Sequence, residues 1–328
     1  MRLIGISEYN QITMQLARPI YDRRKRVLLA AGRTIHPKYL ERLEDMDIRY
    51  LFVEDFISKD ITMEEMVDMP TWMDAIEGIQ KVYEVASSKK IFEIRELQKI
   101  CSKLIDEVSK RKAIVLIPTT SIPEDLRKYA HAVNVTLLSL QVAKKLSVNS
   151  LRLRDLALGA LLHDIGKAVT TDDEQHPQAG FDYLRKVREV KLISAHVAFG
   201  HHEQLNGEGF PRGISDKEFH DFAQICGICN LYENMISREN IPPHMAMEMI
   251  MTKSGVGYSQ EIVQSFIDSI PSYSPGTKVM LNNGKKAIVT KIRSLMQRPV
   301  VRYLDSNQEI SLEDHYTLLI TGIVESEK

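Results

Sequence analysis

Leu158-Gly159-Ala160-Leu161-Leu162-His163-Asp164-Ile165-Gly166-Lys167 opens as an apolar helix and closes on an adjacent His and Asp, a glycine turn and a lysine. That order places an imidazole, a carboxylate able to bridge two ions and a phosphate-seeking ammonium on one rim, a layout suited to metal-assisted hydrolysis of a phosphate ester. Outward from it, six of the ten histidines, His163, His176, His196, His201, His202 and His220, fall between residues 163 and 220. Neutral imidazole suits Zn, Fe, Mn or Ni. A lone His in such a stretch is more often a surface or packing residue, so the cluster gains its meaning from the His-Asp pair.

The surrounding pattern is helical. Ile76, Ile79, Val82, Tyr83 and Ala86 recur at three and four, as do Ile94, Leu97, Ile100, Cys101, Leu104, Ile105 and Val108, which predicts helices between residues 62 and 112. Their stripe serves either this chain's own core or a homodimer. After the break at Ile117 to Pro123, Glu124 and Asp125 supply the negative charge that a new helix favours in its first turn. A larger helical region follows to about residue 270, and Pro271 to Gly276 ends it. Lys278 to Ile292 and Pro299 to Leu304 read as strands around the turn Asn282-Asn283-Gly284-Lys285. At the other end, Ile12 to Pro19 and Val27 to Gly32 read as a hairpin whose turn is the charged run Asp22 to Arg26. Pro37 to Asp45 follows as a short helix and Arg49 to Val53 as another strand.

Composition excludes several classes. Among 328 residues, 43 Lys+Arg against 44 Asp+Glu give a net charge of −1. Such a balance argues against electrostatically driven binding to a nucleic-acid polymer or membrane surface as the main role. No apolar run approaches the ~18 residues of a membrane span, and charge follows Met1 too soon for a signal peptide. A cytoplasmic location is expected. Three cysteines, Cys101, Cys226 and Cys229, fit a reducing compartment. The Cys226-x-x-Cys229 spacing is better explained by core packing than by a zinc or redox pair, since no second pair accompanies it.

His201-His202-Glu203-x-x-x-Gly207-x-Gly209-Phe210-Pro211-x-Gly213, together with His163-Asp164, resembles the HD-GYP domain phosphodiesterases, which hydrolyse the bacterial second messenger cyclic di-GMP. The likeness covers roughly residues 124–270. It implies a mainly α fold, an HD-domain helical bundle flanked by a small N-terminal α+β module and a small C-terminal β module. The expected division is residues 1–60, a helical connector 61–117, the catalytic domain 118–271 and the β module 272–328. By the same resemblance the cofactors are two divalent metal ions, Fe or Mn. His131 and His163 would hold one, His176, His201 and His202 the other, and Asp164 and a hydroxide would bridge them. The hydroxide would attack phosphorus to give pGpG or GMP, with Asp164 and Lys167 as catalytic residues. Lys167, Arg238, Gly209, Phe210 and Pro211 would contact substrate, and Glu203 would orient a ligand or cap its loop.

The sequence departs from the family pattern in ways that bear on activity. Where a ligand Asp is usual, this chain has Asn230, which offers a carbonyl oxygen but no charge. Arg127 occupies the place of a Glu that in some members holds a third ion. The segment from Ile165 to Gln175 is shorter than usual, and Phe210 replaces the Tyr of Gly-Tyr-Pro. A second class of function therefore stands beside the enzyme: a catalytically weak or inactive receptor for cyclic di-GMP, or a protein-interaction module. An HD hydrolase acting on ordinary nucleotides is a third. A GGDEF-type or other signalling protein could dock on the Gly-Phe-Pro loop. His36, His196, His220, His244 and His315 match no family ligand and are expected at the surface or in packing.

Overall fold

The computed structural model describes residues 1–22, 24–215 and 218–324. It divides into two compact units, one made of residues 1–66, 117–127 and 271–328, the other of residues 67–116 and 128–270.

In the first unit, β1 (Arg2–Gly5), β2 (Gln15–Leu16), β3 (Ile20–Tyr21), β4 (Val27–Leu29), α1 (Pro37–Asp45) and β5 (Tyr50–Glu54) come from the N-terminal segment. Antiparallel pairing puts β5 between β1 and β2, with Leu3 opposite Phe52 and Leu16 opposite Val53. The hairpin across the charged run forms from different strands than the sequence suggests. β3 pairs with β4, while Gln15 and Leu16 leave to join β5. Pro19 separates the two segments and has no N–H for a ladder. Between Ile12 and Pro19 only Leu16 is buried, so a two-residue strand suffices to cover the core there. Asp22 holds the turn by accepting the Arg24 and Arg26 amides at 2.8 and 2.9 Å. Arg23, within that run, lies outside the described residues.

The chain's other end supplies β6 (Lys278–Leu281), β7 (Lys286–Lys291), β8 (Val300–Tyr303), β9 (Glu309–Ser311) and β10 (Ile320–Ile323), an antiparallel sheet ordered β10-β6-β7-β8-β9. Val279, Leu281, Ala287, Val289 and Val301 alternate into its core. β9 and β10 were not apparent from sequence, because their short runs are largely exposed. Arg302 of β8 donates to Asp60 at 2.5 Å and to the Ile57 carbonyl at 2.8 Å, so residues from both chain ends belong to one body.

The second unit is helical: α2 (Met69–Ser87), α3 (Ile94–Lys110), α4 (Arg127–Lys145, from Lys128 on), α5 (Ser150–Leu161), α6 (His176–Leu184), α7 (Leu192–Gly200), α8 (Asp221–Ser237), α9 (Pro243–Met251) and α10 (Gln260–Ile267). Their starts follow capping chemistry. Asp68, Asn149 and Ser259 each accept a backbone N–H of the first turn of α2, α5 and α10. The apolar stripes of α2 and α3 are buried within this chain, α2 against α3 and α3 against α5. Every residue of α4 from Tyr129 to Ala143 is buried. A helix surrounded on all sides has no solvated face for polar groups, yet α4 carries His131, Asn134, Thr136, Ser139 and Gln141. Those groups need internal partners, and His131 and Asn134 lead to the site below. Among the described residues no helix is long and apolar enough to cross a membrane. All three cysteines are free and buried, and burial pushes the Cys101 thiol up to about 12.

α8 begins on a titrating cap. His220 Nδ1 accepts the Phe222 amide at 3.0 Å, which requires a neutral ring. Burial lowers its pKa, as does Arg152, against the opposing charge of Asp221. The folded protein thus binds fewer protons here than the unfolded chain as pH falls through the unfolded value near 6.5. Stability present above that pH is lost below it. Between pH 8 and 5.5 the protein should lose more stability than H220N, whose amide caps without titrating. Urea midpoints of the two proteins at both pH values check this.

Candidate metal centre

Local structure carries each candidate side chain to one place in the helical unit. His131 projects from α4. His163 and Asp164 follow the last turn of α5, and Lys167 lies in the short 3-10 turn Ile165–Ala168. His176 is the first residue of α6, and His201 and His202 directly follow α7. Gly166 permits the convergence: a Cβ there would lie 1.9 Å from the His176 carbonyl oxygen, so only glycine lets this turn rest against the start of α6.

Asp164, 5% exposed, is the hub. Its Oδ1 faces His176 Nε2 at 3.2 Å and His201 Nε2 at 3.5 Å. Its Oδ2 faces His163 Nε2 at 3.7 Å and His131 Nε2 at 3.9 Å, and accepts from Lys167 Nζ at 2.6 Å. Two groups share this carboxylate: Asp164 with His176, His201 and His202, and Asp164 with His131 and His163. Within each group one potential ligand atom from every residue lies within 4.8 Å of the others.

The hydrogen-bond partners of the rings show what these groups require. His163, His176 and His201 direct Nδ1 to the carbonyls of Ala160, Asp173 and Ala198. A carbonyl only accepts, so each ring carries its proton on Nδ1. His131 Nδ1 meets the Glu233 carboxylate in the same sense. Four Nε2 lone pairs therefore point at a carboxylate that has only lone pairs to return. His176 Nε2 and His201 Nε2 stand 3.3 Å apart, and two lone pairs cannot hydrogen-bond to each other. His131 Nε2, His163 Nε2, His202 Nε2 and Asp164 Oδ1 are buried without hydrogen-bond partners. Such groups are costly to bury unless a cation satisfies them. This donor set fits divalent metal, and its Nδ1 contacts are those that orient ligand histidines.

Electrostatics agree. Burial holds His163 well below the ordinary imidazole range and lowers His201 and His202, keeping these rings neutral. For Asp164 burial acts against ionisation, and with the rings neutral it is the Lys167 ammonium that favours the charged carboxylate.

A loop closes one side. Glu203, fully buried, accepts the Arg212 amide at 2.8 Å and the Ile214 amide at 3.1 Å, so it caps the loop. Gly209 allows that loop to cross directly over it, since a Cβ there would lie 2.4 Å from Glu203 Cα. Phe210 stacks on His202 with centroids 4.4 Å apart and planes 15° from parallel, and Pro211 follows it. Gly209, Phe210 and Pro211 thus stand beside the His201-His202 side of the centre. Arg238 is exposed at the C-terminal end of α8. Asn230 is buried on α8, and its carbonyl oxygen accepts from Asn234 at 2.9 Å. His36 and His220 cap helices, while His196 packs on Phe181 at 4.9 Å.

Two residues near the centre were not singled out from sequence. Glu233, one turn after Asn230 on α8, is the partner of His131. The signal the sequence offers is an acidic residue one turn beyond Asn230 in the mostly apolar run Ile225 to Met235. Tyr83 of α2 has a buried hydroxyl without a hydrogen-bond partner. Burial raises its pKa, as does the charge of Asp164.

Residues 129–241 match the HD domain family model. A cyclic di-GMP phosphodiesterase of Pseudomonas aeruginosa is 26% identical over 236 residues, covering 64% of this chain and 57% of that protein. A cyclic di-GMP phosphodiesterase of Thermotoga maritima is 28% identical over 164 residues, covering 44% of this chain and 45% of that one. The chain therefore spans about half the length of these relatives. Among solved structures, an HDG"Y"P protein from Bdellovibrio bacteriovorus aligns with a TM-score of 0.52 at 17% identity, covering 80% of this chain and 97% of that chain. That likeness is one of fold.

Proposed function

We propose that this chain, in which residues 129–241 form an HD domain, is a metal-dependent phosphodiesterase that hydrolyses cyclic di-GMP to pGpG or GMP. One observation carries the proposal: four imidazole lone pairs converge on the buried carboxylate of Asp164, an arrangement that a cation completes. Oδ2 of Asp164 with His131 and His163 would hold one divalent ion, and Oδ1 with His176, His201 and His202 the other. These nitrogen and carboxylate donors suit Fe or Mn. When bound, such ions supply Lewis acidity toward a phosphoryl oxygen and a nucleophile at neutral pH. The relatives named for cyclic di-GMP support this substrate.

The chain's own groups do the rest. Lys167 fixes Asp164 at 2.6 Å while 30% of its side chain stays exposed, so its ammonium can also meet charge building on phosphate. Phe210 covers His202 with an apolar ring and offers a face on which a base can stack. Arg238 is assigned to an outer phosphate of the dinucleotide, reached from its exposed position. The loop around Gly209 to Pro211 is the surface for a GGDEF-type or other signalling partner. We place the protein in the cytoplasm, in keeping with its free, buried cysteines.

A receptor with little turnover is favoured by one specific feature. Asn230 brings no charge, and Asn234 already engages its oxygen. Anaerobic purification, elemental analysis and chromatographic assay of cyclic di-GMP turnover with added Mn or Fe separate the readings. About two metal equivalents with pGpG formation are expected for the enzyme. Metal and tight nucleotide binding without product would instead establish the receptor. N230D should raise turnover about tenfold by strengthening retention of the ion it faces, and an unchanged rate would remove Asn230 as the cause of weak activity.

A further inference from the structure

We infer that Glu233 is the positioning residue for His131, and that Trp72 of α2 holds Glu233 in place through Asn134. The inference rests on the metal-centre reading above and extends it to residues outside the ligand set. Trp72, Asn134 and Glu233 are fully buried. Trp72 Nε1 donates to Asn134 Oδ1 at 3.0 Å, and Asn134 Nδ2 donates to Glu233 Oε1 at 3.2 Å. Ser237 Oγ donates to the same oxygen at 2.6 Å, and Glu233 Oε2 accepts from the Nδ1–H of His131.

The direction of every bond in this chain is fixed. An indole N–H only donates, so it requires Asn134 to present its oxygen to Trp72 and therefore its NH2 to Glu233. Residue 233 must then accept at one end from Asn134 and Ser237 and at the other from His131. A carboxylate accepts at both ends, whereas an amide accepts at only one. The consequence for His131 is its tautomer: with the proton drawn to Nδ1, Nε2 keeps its lone pair toward Asp164. The carboxylate also adds negative charge behind the ring, strengthening it as a ligand.

Glu233→Gln breaks this order in either orientation. If the Gln oxygen faces Asn134 and Ser237, its NH2 faces His131 Nδ1 and drives the ring proton onto Nε2, blocking the ligand atom. If the oxygen faces His131, two NH2 groups confront each other and Asn134 can relieve them only by abandoning Trp72. In full-length protein labelled with 15N-histidine and freed of metal, two-bond 1H–15N correlations should report His131 as the Nδ1–H tautomer. E233Q should move it toward Nε2–H. Manganese titration should then show one equivalent weakened about 10–100-fold while the other keeps its affinity. W72F retains an aromatic ring but removes the indole donor, and should weaken that same equivalent several-fold, giving a second test should E233Q fail to fold. A wild-type His131 carrying its proton on Nε2, or folded variants that bind both equivalents as the wild type does, would overturn the inference. The tautomer is read without nucleotide. A protein that binds metal but leaves cyclic di-GMP intact therefore defeats the phosphodiesterase proposal and not this one.

Discussion

Asp164→Asn is expected to empty both halves of the centre in a single substitution. Asp164 is the one residue shared by the two ligand groups, Oδ1 serving His176 and His201 while Oδ2 serves His131 and His163. An amide provides one oxygen without charge, and its NH2 turns toward either pair of imidazole lone pairs, where it donates a hydrogen bond. Retained metal should fall close to zero. Turnover should drop at least about 10³-fold, since the several kilocalories of transition-state stabilisation that bound metal provides are worth a factor of ten for every 1.4 kcal/mol. The same donated hydrogen bonds should leave the metal-free fold as stable as the wild type or more so, because the lone pairs acquire a partner. Elemental analysis beside the thermal midpoint of chelator-treated protein measures both effects. Full metal content in D164N would show that Asp164 does not bridge.

Glu203→Ala should have the larger effect on folding. Its carboxylate is fully buried and accepts two backbone N–H groups, those of Arg212 and Ile214, across the loop. Removal leaves two donors unpaired at about 1–3 kcal/mol each, so a total near 2–6 kcal/mol is expected. Arg212→Ala provides the contrast. Its guanidinium is 37% exposed, 3.8 Å from Glu203, and lies 4.6 Å from the Phe199 ring centre. Removing it should cost about 1 kcal/mol or less. Urea denaturation of the two variants distinguishes a loop held by a buried acceptor from one held by a salt bridge. Equal losses would refute the first account.

Local chemistry made much of the helical unit visible in sequence. The stripes of α2 and α3 are periodic, and His163-Asp164, His176 and His201-His202 occupy helix ends where a short motif determines both backbone and side-chain direction. Glu203 was expected to orient a ligand or cap its loop; its bonds to the Arg212 and Ile214 amides make it the cap. Glu233, Asn134 and Trp72 were harder to see because their significance lies in partners 62 to 102 positions apart, and no local pattern encodes such pairings. Tyr83 reads as one more member of the apolar stripe of α2. The N-terminal strands were misassigned for a related reason: a two-residue strand such as Gln15–Leu16 contains too little alternation to indicate which neighbour it will join.

The first unit draws on residues 1–66 and 271–328, with Arg302 reaching Asp60 and Ile57. During synthesis the opening segment must therefore leave the ribosome and wait, incompletely partnered, while all the helical elements are made. The body completes only when the final sheet emerges. Ribosomes that stop within the helical region would release chains exposing the surface that β8 should cover, leaving unfinished products open to capture by chaperones or degradation.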